Sequence, residues 1–547
     1  MCFSNFSKSS KVEKNSGFDY HKLNIYQTFL FLTFAPLMTR FTNIIKYFLP
    51  VILMLAGGVL YGQQEKKKTK VFVEHADIQS YDEKRGKDIE RLIGHVKMRH
   101  ENTIFYCDSA LLNSKSRNFD AFGNVHIIVN DTLDLYSDSL YYKGKTKMAE
   151  LFGNVKLIDK NTVLTTDHLL FDRKINTGYY YNNGKIINKQ NTLTSKEGYY
   201  NTDSRTFYFK TDVVLVNPDQ ETYSDTLIYN TVSETAFFKG PTIIKGSEGT
   251  IYCEDGWYDT KNDLSKLVKN PTISQNDQFL SSDSIMFDNA KNIGHAYGQV
   301  QILDTTKRVL IKGTIGEMWK TRGMAYVTDS ATAITYDKNG DSLYISADTL
   351  WLFFDKNQQT KKILAYYNVR FFKKDLQGKC DSLSYSMEDS TIRLYYEPVL
   401  WSKKNQLTAD SMTIAIVDNV PDSLVMYSSA FIVMQDTTET FNQIKGRNMI
   451  GHFSGSELKN IDVDGNAQTV FYLRDEDDYL IGINRAESST MSIRLLNGEL
   501  KSISYNEDAK ETTYPPEKFP AEGKKLKGFN WFEDLRPKDK MDIYRKN

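Results

Sequence analysis

The sequence is poor in residues that interrupt strands or build chemical sites. It has 4 cysteines, 8 histidines and 11 prolines in 547 residues. Only five of the prolines lie between residues 51 and 514, so strand patterns can continue there with few breaks. The cysteines, Cys2, Cys107, Cys253 and Cys380, are far apart, and no CxxC or Cys/His pair has the spacing of zinc ligands. We therefore expect neither a disulfide framework nor a metal centre.

Neither sign of charge is in excess, since 69 basic residues balance 69 acidic ones. Proteins that bind nucleic acid usually carry a basic excess, so no nucleic-acid partner is expected. The GxSxG, P-loop, HExxH and Gly-rich dinucleotide motifs are also absent. We therefore expect no enzymatic activity and no cofactor.

What the sequence does contain is a degenerate repeat of about thirty residues, from roughly residue 90 to residue 505. Most of the thirteen copies carry an acidic residue in a strand-like segment such as FYCDSALL or LYSDSLYY. A repeat of this length makes one supersecondary unit that buries its apolar face only against its neighbours, which predicts a stack. The clear acidic positions are Asp108, Asp138, Asp167, Asp225, Asp255, Asp283, Asp348, Asp381 and Asp410, and the weaker copies have Glu197, Glu317, Asn448 and Glu487.

A second motif lies between the acidic positions and is clearest in LIGHVKM, AFGNVHI and LFGNVKL, which contain Gly94, Gly123 and Gly153. Apolar and polar residues alternate in these segments, as in half-buried strands. Polar clusters such as Lys143-Gly144-Lys145 and Asn182-Asn183-Gly184 separate the strands and are typical of hairpin turns. The body has no long amphipathic helical pattern that could supply the crossovers of a parallel sheet. The sequence therefore predicts an all-β stack of hairpins.

The repeated acidic residue could suggest a column of carboxylates that binds metal. However, Ser or Thr usually stands beside it, as in Asp138-Ser139 and Asp225-Thr226. Such pairs suit the capping of backbone donors where a strand bends, so we interpret the repeated residue as structural.

The two ends of the chain differ from the repeats. The apolar run of residues 48–61 follows basic residues and is too short for a comfortable membrane span, which favours a signal peptide over residues 38–63. An uncleaved anchor is the alternative, and residues 1–37 are interpreted as an upstream extension. Residues 511–547 form a tail rich in Pro and Lys, interpreted either as a docking peptide or as a segment packed on the last repeat.

The alternation of SDSLYY-type strands with GNVxI-type strands, behind a secretion signal, resembles the OstA family of lipopolysaccharide transport. The resemblance is strongest over residues 70–305 and continues more loosely over residues 306–510. It implies an elongated antiparallel β-jellyroll of bent strands, here about thirteen hairpin repeats, in the periplasm. The resemblance is also compatible with an association with the outer membrane. The implied partners are lipopolysaccharide, other transport proteins with the same jellyroll, and an outer-membrane assembly protein.

The alternation also predicts which residues face the interior, where the resemblance implies an apolar trough for lipid A acyl chains. Asn124, His126, Ser139 and His168 are expected to face solvent. Unpaired strands at the ends of the stack are the expected docking edges, at Val71, Val73, Ile493 and Leu495, with Trp531 of the tail nearby. The expected interior residues are Val125, Ile127, Leu140, Tyr142, Val155, Leu157, Leu169, Phe171, Leu227 and Tyr229.

Two other classes of function fit a β-stack. One is an envelope scaffold that binds proteins through a filled β-solenoid and takes no lipid. The other is an enzyme with a β-helical groove, such as a polysaccharide lyase, and the lack of any catalytic constellation outside the repeat pattern counts against it. Bound lipid would separate the transport hypothesis from both.

Overall fold

Strands account for most of the chain, in agreement with the alternation of apolar and polar residues. Over the residues that it describes, the computed structural model contains 38 strands in one sheet, and all of their pairings are antiparallel. The prediction of an all-β stack is therefore confirmed. The predicted signal peptide and upstream extension lie outside the described residues. The structure describes residues 70–81, 86, 88–247, 249–336, 342–356, 359–417, 420–454, 457–496 and 499–545.

The strands run through the chain in three groups. Up to residue 172 they are β1 (Phe72–His75), β2 (Ile78–Tyr81), β3 (Ile89–His100), β4 (Thr103–Asn113), β5 (Asn118–Val129), β6 (Leu133–Lys143), β7 (Met148–Asp159) and β8 (Thr162–Asp172). Up to residue 319 they are β9 (Thr177–Tyr180), β10 (Gly184–Asn188), β11 (Asn191–Ser195), β12 (Glu197–Asn201), β13 (Thr206–Val216), β14 (Gln220–Asn230), β15 (Thr235–Gly246), β16 (Gly249–Asp259), β17 (Leu264–Val268), β18 (Thr272–Gln275), β19 (Gln278–Ser281), β20 (Ser284–Asp288), β21 (Ile293–Asp304) and β22 (Val309–Trp319). The rest are β23 (Met324–Thr335), β24 (Leu343–Phe354), β25 (Thr360–Lys373), β26 (Leu376–Ser386), β27 (Thr391–Tyr395), β28 (Val399–Ser402), β29 (Asn405–Thr408), β30 (Ser411–Val417), β31 (Val420–Tyr427), β32 (Phe431–Gln435), β33 (Phe441–Lys445), β34 (Asn448–Ser454), β35 (Glu457–Arg474), β36 (Leu480–Leu496), β37 (Glu499–Asn506) and β38 (Lys510–Tyr514). Short 3-10 helices span Lys320–Arg322, Pro516–Lys518, Ala521–Lys524, Glu533–Leu535 and Asp542–Tyr544.

Each long strand bends at a corner near its middle, where the pairing register shifts. Residues Gly123 and Asn124 form one such corner and have φ values of +75° and +42°. A Cβ atom on Gly123 would lie 2.3 Å from Oδ2 of Asp108 on the preceding strand, so only glycine leaves room there. Asn124 Nδ2 donates a hydrogen bond to Asp108 Oδ2 at 2.9 Å. Asn154 and Asp138 repeat this bond, also at 2.9 Å.

The corner hydroxyls act differently from the prediction that Ser139 and Thr226 cap backbone donors. The hydroxyl that precedes the acidic residue donates to a carbonyl, and Thr226 Oγ1, which follows the acidic residue, donates to the carboxylate of Asp225 at 3.1 Å. Ser137 Oγ donates to the carbonyl oxygen of Ser139 at 3.0 Å, and Ser224 Oγ donates to that of Thr226 at 3.0 Å. A bulge turns carbonyls away from the ladder, so those carbonyls need another donor.

Five of the predicted positions also require correction, namely Asp255 and the four of the weaker repeats. Strand register places the corner one to three residues before or after the predicted position. The period is consequently more regular than it appeared, with steps of 29 residues from position 138 to position 283. The corner residues are Lys196, Glu254, Thr314, Arg447 and Ser489, in place of Glu197, Asp255, Glu317, Asn448 and Glu487.

Ten of the bent strands are divided at the corner into two shorter strands, such as β9 and β10. The 38 strands therefore make 28 bent strands, or fourteen successive pairs within the described residues. This is one pair more than the sequence indicated, because the first pair, with its corner at Asp77, is counted as well.

The corners divide the stack into two walls that enclose the core. Wall A is the half of each bent strand that ends at turns such as residues 101–102, and wall B is the half that ends at turns such as residues 114–117. The free margins of the two walls face each other across a mouth. Two apolar clusters fill the space between the walls, one from Leu92 to Val300 and one from Ile311 to Leu495.

Candidate functional site

The interior between the walls is the candidate site, and the predicted trough residues lie on its inner faces. Nine of the ten are at most 2% exposed, and the tenth, Tyr229, is half-buried. Eight of the ten lie between residues 89 and 205, which we call the sealed section. There the protein's own side chains fill the interior, and rings such as Phe105, Phe119 and Tyr142 lie about 5 Å apart. In this section the interior contains no open trough.

Polar contacts between the wall margins close the mouth of the sealed section. Lys147 Nζ on wall B donates to both carboxylate oxygens of Glu101 on wall A, at 2.6 and 2.7 Å. Arg173 Nη1 on wall B donates to the hydroxyl of Tyr142 at 2.6 Å, and His100 Nδ1 on wall A lies 2.7 Å from that hydroxyl. We call these five residues the latch.

Burial governs the electrostatics of the latch. It raises the pKa of the Tyr142 hydroxyl, an effect that the positive charge of Arg173 opposes. Burial lowers the pKa of His100, and Arg173 lowers it further. A second contact closes the mouth further along, where the hydroxyl of Tyr200 on wall B donates to the carboxylate of Asp159 on wall A. Burial and this carboxylate raise the pKa of Tyr200.

The mouth is different over residues 206–304, which we call the open section. Among the described residues of this section, no hydrogen bond or ion pair joins the two margins. Although inner side chains such as Leu227 and Phe238 are buried there, eight inner apolar side chains are only half-buried, and solvent reaches these from the mouth. These side chains are Leu215, Tyr229, Ile251, Tyr258, Ile273, Leu280, Phe287 and Ile302.

A cavity of about 100 Å³ lies at the start of the open section, where it adjoins the last hairpin of the sealed section. Its interior is apolar, with Phe207, Phe209, Leu227 and Phe238 among the lining side chains. Amides line its margin on wall A, from Asn188, Asn191, Asn217 and Gln220. An apolar interior with uncharged hydrogen-bonding groups at the margin suits an amphipathic ligand whose chain enters while its head stays at the mouth.

The residues predicted to face solvent lie on the outer faces. Asn124 is exposed, while Ser139, His126 and His168 are partly exposed. Nε2 of His126 and of His168 each lie near a carboxylate oxygen on a neighbouring strand, at 2.7 and 3.1 Å. Both imidazoles stack on outer aromatic rings, so these histidines take part in outer-face packing.

Two family models match separate parts of the chain. Residues 68–225 match the model described as OstA-like protein. Over these residues the chain is OstA-like. Residues 339–420 match the model described as LptA/(LptD N-terminal domain) LPS transport protein, so the match is not confined to the first hairpins of the stack.

Comparison with individual proteins adds little to the family match. No curated protein matches the sequence of this OstA-like chain. A similar solved structure is LptH, the LptA-homologous periplasmic component of the lipopolysaccharide transport device from Pseudomonas aeruginosa. The similarity has 10% identity and a TM-score of 0.20 and covers 26% of this chain and 95% of that one.

The structure places the C-terminal edge of the stack at other strands than predicted. Val71 and Val73 are half-buried at the first strand, and the outer side of β1 and β2 has no partner within the described residues. Ile493 and Leu495 are not at an edge, because β36 pairs with β35 on one side and with β37 and β38 on the other. Both residues belong to the core. The second edge is instead formed by β37 and β38.

Residues 515–545, which we call the C-terminal segment, pack on the outer face of wall A. The segment leaves the edge strand after Tyr514 and runs back along the stack, away from the edge. Trp531 packs on Phe441, with 5.1 Å between ring centroids. Further on, Thr332 Oγ1 donates to the hydroxyl of Tyr544 at 3.1 Å. Of the two interpretations of the tail, the structure agrees with the second, because the segment packs back on the stack. It extends well beyond the last repeat.

The remaining reactive groups of the OstA-like chain are buried or dispersed. Burial raises the pKa of the Cys107 and Cys380 thiols to about 12 and that of Cys253 to about 11. In the part of the chain that the structure describes, no three His, Cys, Asp or Glu side chains cluster in a way that could hold a metal ion. None of the described helices has the length and apolar character needed to cross a membrane.

Sequence reasoning missed two sets of residues. Phe207 and Phe209 line the cavity, and their alternation in the segment TFYFK could have revealed them. The contacts of the C-terminal segment were missed as well. Their signal is a set of continuous apolar runs in wall A, at 399–401, 431–434 and 470–472, because such runs indicate strands buried on both faces.

Proposed function

We propose that this chain is a non-catalytic periplasmic protein that binds the acyl chains of lipopolysaccharide between its walls and carries the lipid toward the outer membrane. The observation that supports the proposal best is the cavity at the start of the open section, with its apolar interior and amide margin. The two matched families are of the OstA-like and lipopolysaccharide-transport type, which agrees with an amphipathic lipid as the ligand.

The open section is the proposed place of binding. Leu215, Tyr258 and Ile302 are partly exposed there although they belong to the interior face. Apolar surface that faces solvent inside a groove gains free energy when a hydrocarbon chain covers it, at about 25 cal/mol per Å². The sugar head of the lipid would remain at the mouth, beside the amides of Asn217 and Gln220.

In this proposal the sealed section is a part of the lipid path that must open before lipid can pass. Its interior side chains leave no space for an acyl chain while the latch is closed. Passage through it requires the margins to separate at Glu101 and Lys147, and at His100 and Tyr142. These contacts are polar and lie at the margin, so they can break without exposing the corners of the walls.

The ends of the stack are the proposed contacts with other envelope proteins, including an outer-membrane assembly protein. The edge formed by β1 and β2 exposes Phe72, Ile78 and Tyr81. The other edge, formed by β37 and β38, is not covered by the C-terminal segment, which turns away from it. Unpaired strand edges accept a further strand from a partner.

Photo-crosslinking in the native envelope tests the lipid proposal. A photoreactive residue at Phe209 or Leu227 should capture lipid A, because both positions line the cavity. Tyr208 and Ile228 are the matched controls, since each is adjacent to a test position on the same strand and points outward. Capture at all four positions, or at none of them, would count against the proposal.

A protein-binding scaffold is the second candidate, because the interior of the sealed section is filled by side chains such as Leu140, Leu157 and Leu169. A filled interior is what a β-solenoid without a ligand requires. Mass spectrometry of protein purified from its own envelope separates the two candidates. Co-purified lipid A favours transport, and partner proteins without lipid favour the scaffold.

A further inference from the structure

We propose that the outer face of wall A, from Thr332 to Ile483, is a peptide-binding groove. Its resident ligand is the C-terminal segment of the same chain, and the same segment of a second copy can take its place. This role is independent of lipid binding, because the groove lies on the opposite face of the wall from the interior.

Glutamine side chains of the groove form hydrogen bonds with the main chain of the segment. Gln443 Nε2 donates to the carbonyl of Lys524 at 2.7 Å, and its Oε1 accepts from the N–H of Leu526 at 2.8 Å. Gln406 repeats the pattern, donating to the carbonyl of Asn530 at 2.8 Å and accepting from the N–H of Phe532 at 2.7 Å. An amide that both donates and accepts in this way replaces a neighbouring strand as the partner of an extended peptide.

These glutamines are almost completely buried beneath the segment. Gln406 is 0% exposed, Gln443 is 1% exposed and Gln377 is 3% exposed. Burial of an amide is costly unless its hydrogen bonds are made. Gln406 makes its hydrogen bonds to the segment, and Gln443 makes two of its three to it, so the outer face is shaped for an occupant.

Side-chain contacts fix the register of the segment. Phe519 and Leu526 are buried with Phe431 and Val433 of the outer face. The ring of Phe529 lies 5.3 Å from that of Phe441. Aromatic and aliphatic anchors of this kind carry most of the affinity at peptide interfaces.

Polar contacts extend the recognition toward the end of the segment. Arg536 Nε and Nη2 donate to Gln377 Oε1 at 2.9 and 2.6 Å, and its Nη1 donates to the carbonyl of Lys403 at 3.0 Å. Arg370 Nη1 donates to the carbonyl of Leu535 at 3.1 Å. The groove thus selects an arginine at a fixed distance from the aromatic anchors.

The C-terminal segment is not part of the sheet and is joined to it at one end only. No residue of 515–545 forms a strand, whereas the chain up to Tyr514 is paired in the sheet. One covalent connection, between Tyr514 and Pro515, joins the segment to the edge strand. A second copy is the favoured alternative occupant because it carries the same anchors at the same spacing, and exchange of identical elements between copies costs little.

A cleavable version of the full chain tests the proposal. A protease site placed between Tyr514 and Pro515 allows the connection to be cut after folding. Native mass spectrometry should show the cut segment still bound. A fluorescent synthetic peptide of residues 515–545 should then exchange into the groove and reach saturation.

Matched variants make the test specific. A peptide with the Arg536→Ala substitution, or a chain with the Gln406→Leu substitution, should bind roughly tenfold or more weakly, because each loses charged or buried hydrogen bonds. A peptide with Lys540→Ala, an exposed position, should bind as the natural one does. Equal binding of all these variants would overturn the proposed recognition.

Two further outcomes would overturn the proposal. Loss of the cut segment without rebinding, while the circular dichroism of the strands stays unchanged, would mean that the groove has no affinity of its own. Exchange between copies is tested with two uncut chains that carry different tags. Mixed dimers should form at high concentration and disappear when excess free peptide is added, and their absence would exclude the second copy as occupant.

Discussion

The sealed and open sections are made of the same hairpin but differ in what holds their margins together. In six successive hairpins an aromatic residue stands four positions after the corner, at steps of 29 residues. The first three are at most 2% exposed and the last three are half-buried. These six residues are Tyr142, Phe171, Tyr200, Tyr229, Tyr258 and Phe287.

The difference lies in the partners of these aromatic side chains. Tyr142 reaches across the mouth to His100 on wall A, and Tyr200 reaches across it to Asp159. Tyr258 instead donates to Asp263, which lies on its own wall, at 2.8 Å. A tyrosine at this position therefore closes the mouth where the opposite margin offers a hydrogen-bond partner. Where the margin offers none, the mouth stays open.

The largest expected effect comes from truncating an inner leucine of wall A in each section. Leu157→Ala in the sealed section should cost about 2–5 kcal/mol of unfolding free energy, because the filled interior leaves a cavity behind. Leu215→Ala in the open section should cost about 1 kcal/mol, since that side chain is already partly exposed. Urea denaturation of both variants measures the difference. Equal losses would mean that the two interiors are equally packed in solution.

Removal of the central group of the latch is expected to have the next largest effect. Arg173→Met should cost roughly 2 kcal/mol, because the charged hydrogen bond to Tyr142 is lost while Tyr142 stays buried. Lys174→Met is the control at the neighbouring exposed position and should be nearly neutral. An environment-sensitive dye should bind more strongly to the Arg173 variant as the mouth opens, and unchanged dye binding would contradict the role of the latch.

A smaller effect is expected from pH. The pKa of His100 is below its ordinary value because of burial, so the unfolded chain binds the proton more readily than the folded one. Stability is therefore unaffected above about pH 6.5, the ordinary pKa of histidine, and falls as the pH decreases below it. His100→Gln should remove this part of the acid sensitivity in thermal unfolding measured from pH 7 to pH 5. His295→Gln, in the open section, should retain it.

The smallest effect is expected in thiol reactivity. Burial holds the Cys107 thiol of the sealed section and the Cys253 thiol of the open section protonated at pH 8, with pKa values raised to about 12 and about 11. Since the thiolate is the reactive form, both should resist alkylation until the protein unfolds. Mass spectrometry after a long incubation of the folded protein should therefore find little label on either thiol, in the open section as in the sealed one. Rapid labelling of Cys253 alone would mean that the open section exposes even the side chains beside its corners.

The all-β stack could be predicted because its causes are local. Alternation of period two sets the inner and outer faces of each strand, and Gly123 with Asp108 marks a corner that only glycine fits. The predicted interior residues lie on the inner faces for the same reason. The weak positions such as Glu317 were misplaced because the corner is fixed by pairing with the previous strand, and its residue type varies from Asp to Thr or Arg.

The sequence by itself determined the hairpin, the bend and the face of the wall on which each side chain lies, since all of these depend on neighbours in one strand or the next. Only the tertiary structure decided where the mouth is closed, because Glu101 and Lys147 are 46 residues apart and meet through the twist of several stacked hairpins. It also decided that the C-terminal segment covers wall A, since Gln406 and Asn530 are brought together across 124 residues. Contacts at such separations depend on the summed geometry of the stack, which no local pattern records.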